Sequence, residues 1–144
     1  MNGNGAWCAF RLSGGLYGVA VDHVQEVLRH AVLTPAPLAP RAVRGLINLR
    51  GEIVTVVDLR QPLRLTDPFA PTPTSHVVVR DGPSIVTLAV DAIEDVIRTR
   101  EEDIEPCPDT VPADVRNLLE GCCKLPNDLL LLLNLERALA CAAQ

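Results

Sequence analysis

The sequence predicts a mainly β protein, two pseudo-symmetric small barrels packed against each other with short helices between the strands. Three observations carry that prediction. Apolar runs are short and bounded by glycine turns, several runs are apolar on nearly every position, and the whole order of features occurs twice. Short, even strands with glycine turns favour closed barrels over open sheets. Runs such as IVTVV and LLLLL need burial on both faces, which two packed barrels supply.

The repetition is read directly from residues. Val19 to Arg29, VAVDHVQEVLR, set above Leu88 to Arg98, LAVDAIEDVIR, shares Ala, Val, Asp, Val and Arg at matching positions. Gly45 to Leu63 aligns in the same way with Gly121 to Leu139, GCCKLPNDLLLLLNLERAL. Between these blocks each copy has a proline-spaced loop, with Pro35, Pro37 and Pro40 in the first and Pro106, Pro108 and Pro112 in the second. The unit is about seventy residues, too short for a solenoid but suited to two subdomains. Thr66 to Ser75, TDPFAPTPTS, reads as an exposed linker between the copies.

Each copy opens with a hairpin. Trp7 to Leu12 and Leu16 to Val21 flank Ser13-Gly14-Gly15, while His76 to Arg80 and Ile85 to Val90 flank Asp81-Gly82-Pro83. Asp22 and Asp91 then stand where helix N-caps belong, followed by Val24, Val27 and Leu28 or Ile93, Val96 and Ile97 at helical spacing. A short amphipathic helix is therefore expected at each place. The second strand pair of the first copy is Leu46 to Leu49 and Ile53 to Val57, around Arg50-Gly51-Glu52. Asp58 and Asn134 are the expected caps of closing helices over DLRQPL and NLERALACAA. Residues 1–5 are expected to be disordered.

Composition bounds the function. At 144 residues, 48% apolar and 3% aromatic, the chain has enough to bury, and its core must be built from Val, Leu, Ile and Ala. Its longest strongly apolar run, Leu129 to Leu133, is far short of the roughly 20 residues that cross a bilayer. MNGNGAWCAF has none of the parts of a secretion signal, so a cytoplasmic protein is expected, without direct membrane insertion. The five cysteines, Cys8, Cys107, Cys122, Cys123 and Cys141, form no CxxC and read as structural thiols. His23, His30 and His76 lack a motif.

Net charge is −5 but unevenly placed: residues 1–72 hold seven Arg against five acids, and residues 73–144 hold six cations against thirteen acids. Few lysines and almost no aromatic platforms accompany the arginines, which argues against nucleic acid. Two differently charged faces for two protein partners fit the pattern, as does an ordinary solvated surface.

No catalytic motif is present: GxSxG, P-loop, GxGxxG and HExxH are all missing. Glu52 and Asp58 could form a carboxylate pair across one strand, but they are better explained as a turn residue and a cap. Glu101-Glu102-Asp103 lacks the alternating oxygen ligands and glycine of a calcium loop. Neither a metal nor another cofactor is expected, and no enzyme.

The two copies differ most at the second hairpin tip. Gly51 is expected to take positive φ, and Asn127 can do the same at the matching place. Arg50, however, is matched by Pro126, so one copy alone offers a guanidinium there. Glu26, on the short predicted helix, is expected to pair with Arg50 and hold it; the alternative is two independent solvated side chains. A rigidly held Arg loses less entropy when it engages a partner.

GLINLRGEIVTVVDLR resembles the signature of CheW, the adaptor family of bacterial chemosensory arrays, and LYGVAVDHVQEVLR resembles that family's N-terminal block. VTLAVDAIEDVIR, the proline loop, Leu119-Glu120-Gly121 and LLLLLNLERAL resemble the remainder in order, so nearly the whole chain is covered. Thr55 departs from the proline usual in that strand, and Cys122-Cys123-Lys124 and Pro126-Asn127 are less typical of the second half. The resemblance implies two intertwined five-stranded barrels of SH3-like or OB-like type. Residues 1–144 would be a single stand-alone CheW-like domain, with subdomains within 16–66 and 76–139 that exchange strands.

The implied function is a non-enzymatic adaptor that couples methyl-accepting chemoreceptors to the histidine kinase CheA at membrane-associated arrays. By resemblance, a receptor tip, a helical hairpin, is received in a groove near Val24, Glu26, Val27, Gly45 and Arg50. The kinase regulatory domain would contact barrel ends elsewhere, and other CheW-like domains are a further class of partner. A paralogue of a pilus or gliding pathway that binds receptor without kinase is a second reading. A third, from the barrels alone, is an OB-like binder of nucleic acid or oligosaccharide.

Overall fold

A computed structural model of the chain describes residues 4–65 and 72–144. Both hairpins read from glycine turns form. Strands β1 (Asn4–Leu12) and β2 (Gly15–Ala20) pair antiparallel, as do β6 (Ser75–Asp81) and β7 (Ser84–Val90). The second pairs form as well: β4 (Val43–Leu49) with β5 (Glu52–Val57), and β10 (Leu119–Leu125) with β11 (Asp128–Leu133). Of the five N-terminal residues expected to be disordered, 1–3 lie outside the described part, and β1 begins at Asn4. Most of the linker, residues 66–71, also lies outside it; beyond these, Thr72 and Thr74 are exposed and Pro73 is buried.

Neither amphipathic helix forms. After Asp22 comes strand β3 (Val24–Leu28), and after Asp91 comes β8 (Ala92–Arg100). The cause is a β-bulge at the same place in both copies. Val24 pairs with Val79 and Glu26 with Val78; Ile93 pairs with Phe10 and Val96 with Cys8. One extra residue in a strand returns side chains to the same face after three positions, which copies the spacing of a helix.

The closing helices divide. Residues 135–142 form α2 (Leu135–Ala142), with Asn134 Oδ1 accepting from Arg137 N at 3.1 Å, as the cap assignment requires. In the first copy Leu59 to Arg64 make hydrogen-bonded turns only, with Leu63 N donating to the Leu59 carbonyl at 3.0 Å. Pro62 lacks the N–H that continued helix needs, and Arg64 leaves at φ 60. Two small elements were not foreseen, β9 (Ile104–Glu105) and α1 (Ala113–Arg116).

The strands assemble into a six-stranded sheet, β8-β1-β2-β11-β10-β9, and a five-stranded sheet, β3-β6-β7-β5-β4. Each sheet is built from both halves of the chain. The opening hairpin of the first copy completes the sheet of the second, and the reverse holds for β6 and β7. The joins are parallel and in matching register, Tyr17 opposite Leu131 and Val86 opposite Thr55. Gly45 and Gly121 occupy equal bulges, opposite Val56 and Leu132, with φ 156 and 154.

Burial follows from this arrangement. Phe10, Leu12, Tyr17, Val19, Val57, Val77, Val79, Leu88 and Val90 form a central core between the sheets, with Leu133, Leu135 and Ala138. Alternate residues point away from it into separate cores: Trp7, Ala9, Leu16, Leu130 and Leu132 in one sheet, Ile47, Val54, Val56 and Ala89 in the other. Val54 and Val56 enter one core and Val57 the central one, and Leu130 and Leu132 enter another while Leu131 and Leu133 pack on the central one; Ile53 and Leu129, at the strand starts, stay exposed.

Candidate protein-interaction site

The turn between β4 and β5 is Arg50-Gly51, with φ 54 and 87, the paired positive values that suit a two-residue hairpin. Asn48 Oδ1 fixes it by accepting from Gly51 N at 2.8 Å. Positive φ is ordinary for Gly51 but uncommon for arginine, so the fold holds Arg50 in a strained backbone position. Its matching residue in the second copy does not do so: Asn127, expected to share this conformation, has no positive φ. Pro126 sets its own φ negative and selects another turn type there.

Arg50 and Glu26 form the expected pair. Arg50 Nη2 donates to Glu26 Oε1 at 2.7 Å and Nη1 donates to Oε2, a two-point clamp. Glu26 comes from β3, however, and not from a helix. The Glu26 side chain is 19% exposed and that of Arg50 71%, so the acid is the fixed member and the guanidinium stays reachable. The hydrogen bond from Arg50 holds the Glu26 carboxyl below its ordinary range, against the opposing effect of desolvation.

Around this clamp the other expected contact residues divide by exposure. Val27 is 47% exposed, but Val24 packs on the central core; the two share the face that the bulge creates. Gly45 is buried, and a Cβ there would lie 2.6 Å from the Thr34 carbonyl oxygen, so its identity has a packing cause. Ile53, not singled out in the sequence, is 74% exposed just beyond the turn. Its signal is an apolar residue directly after a charged hairpin tip, matched by Leu129, also exposed, in the other copy.

The second copy presents a related surface with different chemistry. Arg11 of β1 donates to Glu94 Oε2 at 3.3 Å and to Asp128 Oδ2 at 2.6 Å. Arg80, the counterpart of Arg11, donates to Gln25, the counterpart of Glu94, at 2.9 Å. Val96 and Leu129 are exposed in the second copy as Val27 and Ile53 are in the first. Each copy thus has two exposed apolar residues and one arginine–carboxylate cluster, in the first a single projecting guanidinium and in the second an arginine held between two acids.

The aspartates expected as caps have other roles. Asp22 lies exposed in a 3-10 turn, Val21–His23, and makes no cap hydrogen bond. Asp91 Oδ2 accepts from Ser13 N at 2.8 Å and so fixes the first hairpin turn. Asp58 accepts from Arg60 N at 2.9 Å, as a cap would, but no helix follows; its carboxylate is buried against Arg60 Nη2 at 2.8 Å and Arg44 Nη1 at 3.5 Å. Among the described residues no group of three or more His, Cys, Asp and Glu side chains could hold a metal ion. No described helix is long and apolar enough to cross a membrane.

A family model described as a CheW-like domain matches residues 7–142. Chemotaxis protein CheW of Rhizobium meliloti is 31% identical over 136 residues, which cover 94% of this chain and 87% of that protein. Protein FrzA of Myxococcus xanthus is 31% identical over 99 residues, 69% of this chain and 62% of FrzA. Among solved structures, the scaffolding protein TtCheW from Thermoanaerobacter tengcongensis superimposes with a TM-score of 0.80 at 29% identity, covering 91% of this chain and 84% of that one.

Proposed function

The chain belongs to the CheW-like domain family, and from that premise we propose that it is a non-enzymatic adaptor that couples methyl-accepting chemoreceptors to a CheA-type histidine kinase in a cytoplasmic, membrane-associated chemosensory array. The observation that carries this reading is the clamp of Glu26 on Arg50 at a hairpin tip, with Val27 and Ile53 exposed on the same strands, β3 and β5. A helical receptor hairpin needs apolar contacts and an oriented donor, and exposed Val27 and Ile53 with the held Arg50 offer these. Glu26 removes much of the conformational freedom of Arg50 before any partner arrives, so less entropy is lost on binding. In the second copy, exposed Val96 and Leu129 and the Arg11 cluster offer a second place for a protein, as coupling two partners requires.

Co-precipitation of the chain with a receptor cytoplasmic fragment and with a CheA-type kinase tests the proposal. Capture of both supports coupling, and capture of neither overturns it. The likeness to FrzA, a relative not named for chemotaxis, favours one further reading, a CheW-like paralogue of a non-flagellar pathway; such a paralogue is proposed to bind receptor but not kinase, and capture of receptor without kinase selects it. In a reconstituted mixture, kinase stimulation should fall when Arg50→Ala replaces the native chain.

A further inference from the structure

Two thiols outside the interaction faces lie against each other. Cys107 Sγ and Cys122 Sγ are 3.2 Å apart, closer than the contact of unbonded sulfurs in ordinary packing and about 1.2 Å from disulfide bonding distance. Cys122 lies on β10 and is buried, while Cys107, two residues beyond β9, is half-buried. Both are free thiols.

The internal duplication separates what the fold needs from what this pair adds. Thr34 bridges to Leu46 in the first copy as Glu105 pairs with Cys122 in the second. The carbonyls of Thr34 and Glu105 lie over the equivalent glycines, Gly45 and Gly121. In that register Pro35 and Pro37 match Pro106 and Pro108, Ala36 matches Cys107, and Leu46 matches Cys122. An alanine and a leucine therefore satisfy the packing at these two positions. The thiols are an addition confined to one copy.

We propose that Cys107 and Cys122 form a reversible thiol–disulfide modification site, which reacts with a small-molecule disulfide to fasten the proline loop after β9 onto β10. The Cys107 thiolate attacks one sulfur of the reagent, forming a mixed disulfide and releasing one thiolate. The Cys122 thiolate then attacks the Cys107 sulfur, closing the internal disulfide and releasing the second. The two cysteine sulfurs are oxidised by two electrons in total, the reagent is reduced to two thiols, and those thiols take up the two cysteine protons. The order follows from exposure: Cys107 can meet a reagent, and Cys122 meets Cys107 alone. Burial, followed by the contact with Cys107, pushes the Cys122 thiol up to about 12, so the closing step should accelerate as pH rises.

The loop so fastened contains Val111 and leads into α1, whose Val115 packs on the central core. With Tyr17, Leu63, Leu119 and Leu131, these residues line an apolar cavity of about 310 Å3. Closing a loop of this size restricts the unfolded chain, so oxidation should raise Tm by roughly 5–10 °C.

The test is incubation of the native chain with oxidised glutathione, then alkylation under denaturing conditions and mass analysis of the fragments. The expected result is loss of two of the five alkylatable thiols, with Cys107 linked to Cys122 and not to Cys123, higher Tm, and return of both thiols on adding dithiothreitol. Cys107→Ala and Cys122→Leu copy the first subdomain and should fold; each should keep its remaining thiols free of internal linkage. Retention of all five thiols in the native chain, a glutathione adduct that persists at Cys107, or a different internal pair would each overturn the proposal.

Discussion

Glu26 and Arg50 join the two edges of one sheet. Glu26 is on β3 and Arg50 is at the tip of β4 and β5, while the strand order runs β3-β6-β7-β5-β4. Their contact therefore spans the open side that the backbone ladder leaves, over a core to which Leu28, Ile47 and Leu49 contribute from those edges. A charge pair placed there both orients the guanidinium and fastens the sheet's curl.

Those two effects separate by substitution. Arg50→Ala keeps a positive φ on a residue with a Cβ and removes the clamp; Arg50→Gly removes the clamp and the backbone strain together. Arg50→Gly should melt roughly 2–5 °C above Arg50→Ala, while both lose receptor binding equally. In a double-mutant cycle on that binding, Glu26→Ala and Arg50→Ala should be strongly non-additive. Because the folded Glu26 carboxyl sits below its ordinary value of 4.5, the clamp's share of stability is full above that pH and disappears as pH falls through the lowered folded value. Acid melting curves of the native chain and Glu26→Gln should converge accordingly.

Gly45 and Gly51 both have positive φ, for different reasons. A Cβ at Gly45 meets the Thr34 carbonyl, whereas one at Gly51 meets nothing within 4 Å. Gly51→Ala should cost about 1 kcal/mol, the backbone term alone. Gly45→Ala should cost more, about 1–3 kcal/mol beyond that, because bulge and loop must part. Gly121→Ala, 2.8 Å from the Glu105 carbonyl, should match Gly45→Ala. Urea titration of the three variants measures the order.

The aspartates predicted as caps should behave unequally. Asp58→Ala removes the carboxylate that accepts from the part-buried Arg60 guanidinium and from the Arg60 N–H, with an expected loss of about 2–4 kcal/mol. Asp22→Ala removes an exposed side chain without a cap bond and should stay within about 0.5 kcal/mol of the native chain. Equal losses in chemical denaturation would restore the helix-cap assignment of Asp22.

His76 is buried on β6 between Leu28 and Ala89, and its Nδ1 has no hydrogen-bond partner among the described residues. Burial, with a lesser contribution from the Arg44 charge, lowers its folded pKa below 6.5. Between the folded and unfolded values the unfolded chain binds the extra proton, so stability rises with pH there and is full above about 6.5. Thermal melts from pH 7 to pH 5 should show a falling Tm, and the slope should flatten in His76→Gln.

By itself the sequence determined the duplication, the four hairpins, the two-sided burial of IVTVV and LLLLL, the Asn134 cap and the Glu26–Arg50 pair. Each depends on local chemistry: glycine at turns, apolar residues of period two, opposite charges on one copy only. The tertiary structure decided the rest. Val24 and Val27, or Ile93 and Val96, read as helix because a bulge returns strand side chains to one face after three residues, and only pairing with β6 or β1 fixes that register. The exchange of hairpins between the two halves is decided by non-local pairing, β2 with β11 and β7 with β5. Repeated apolar strands carry little local information about which copy completes which sheet, so burial of the shared core, and not any single segment, settles the choice.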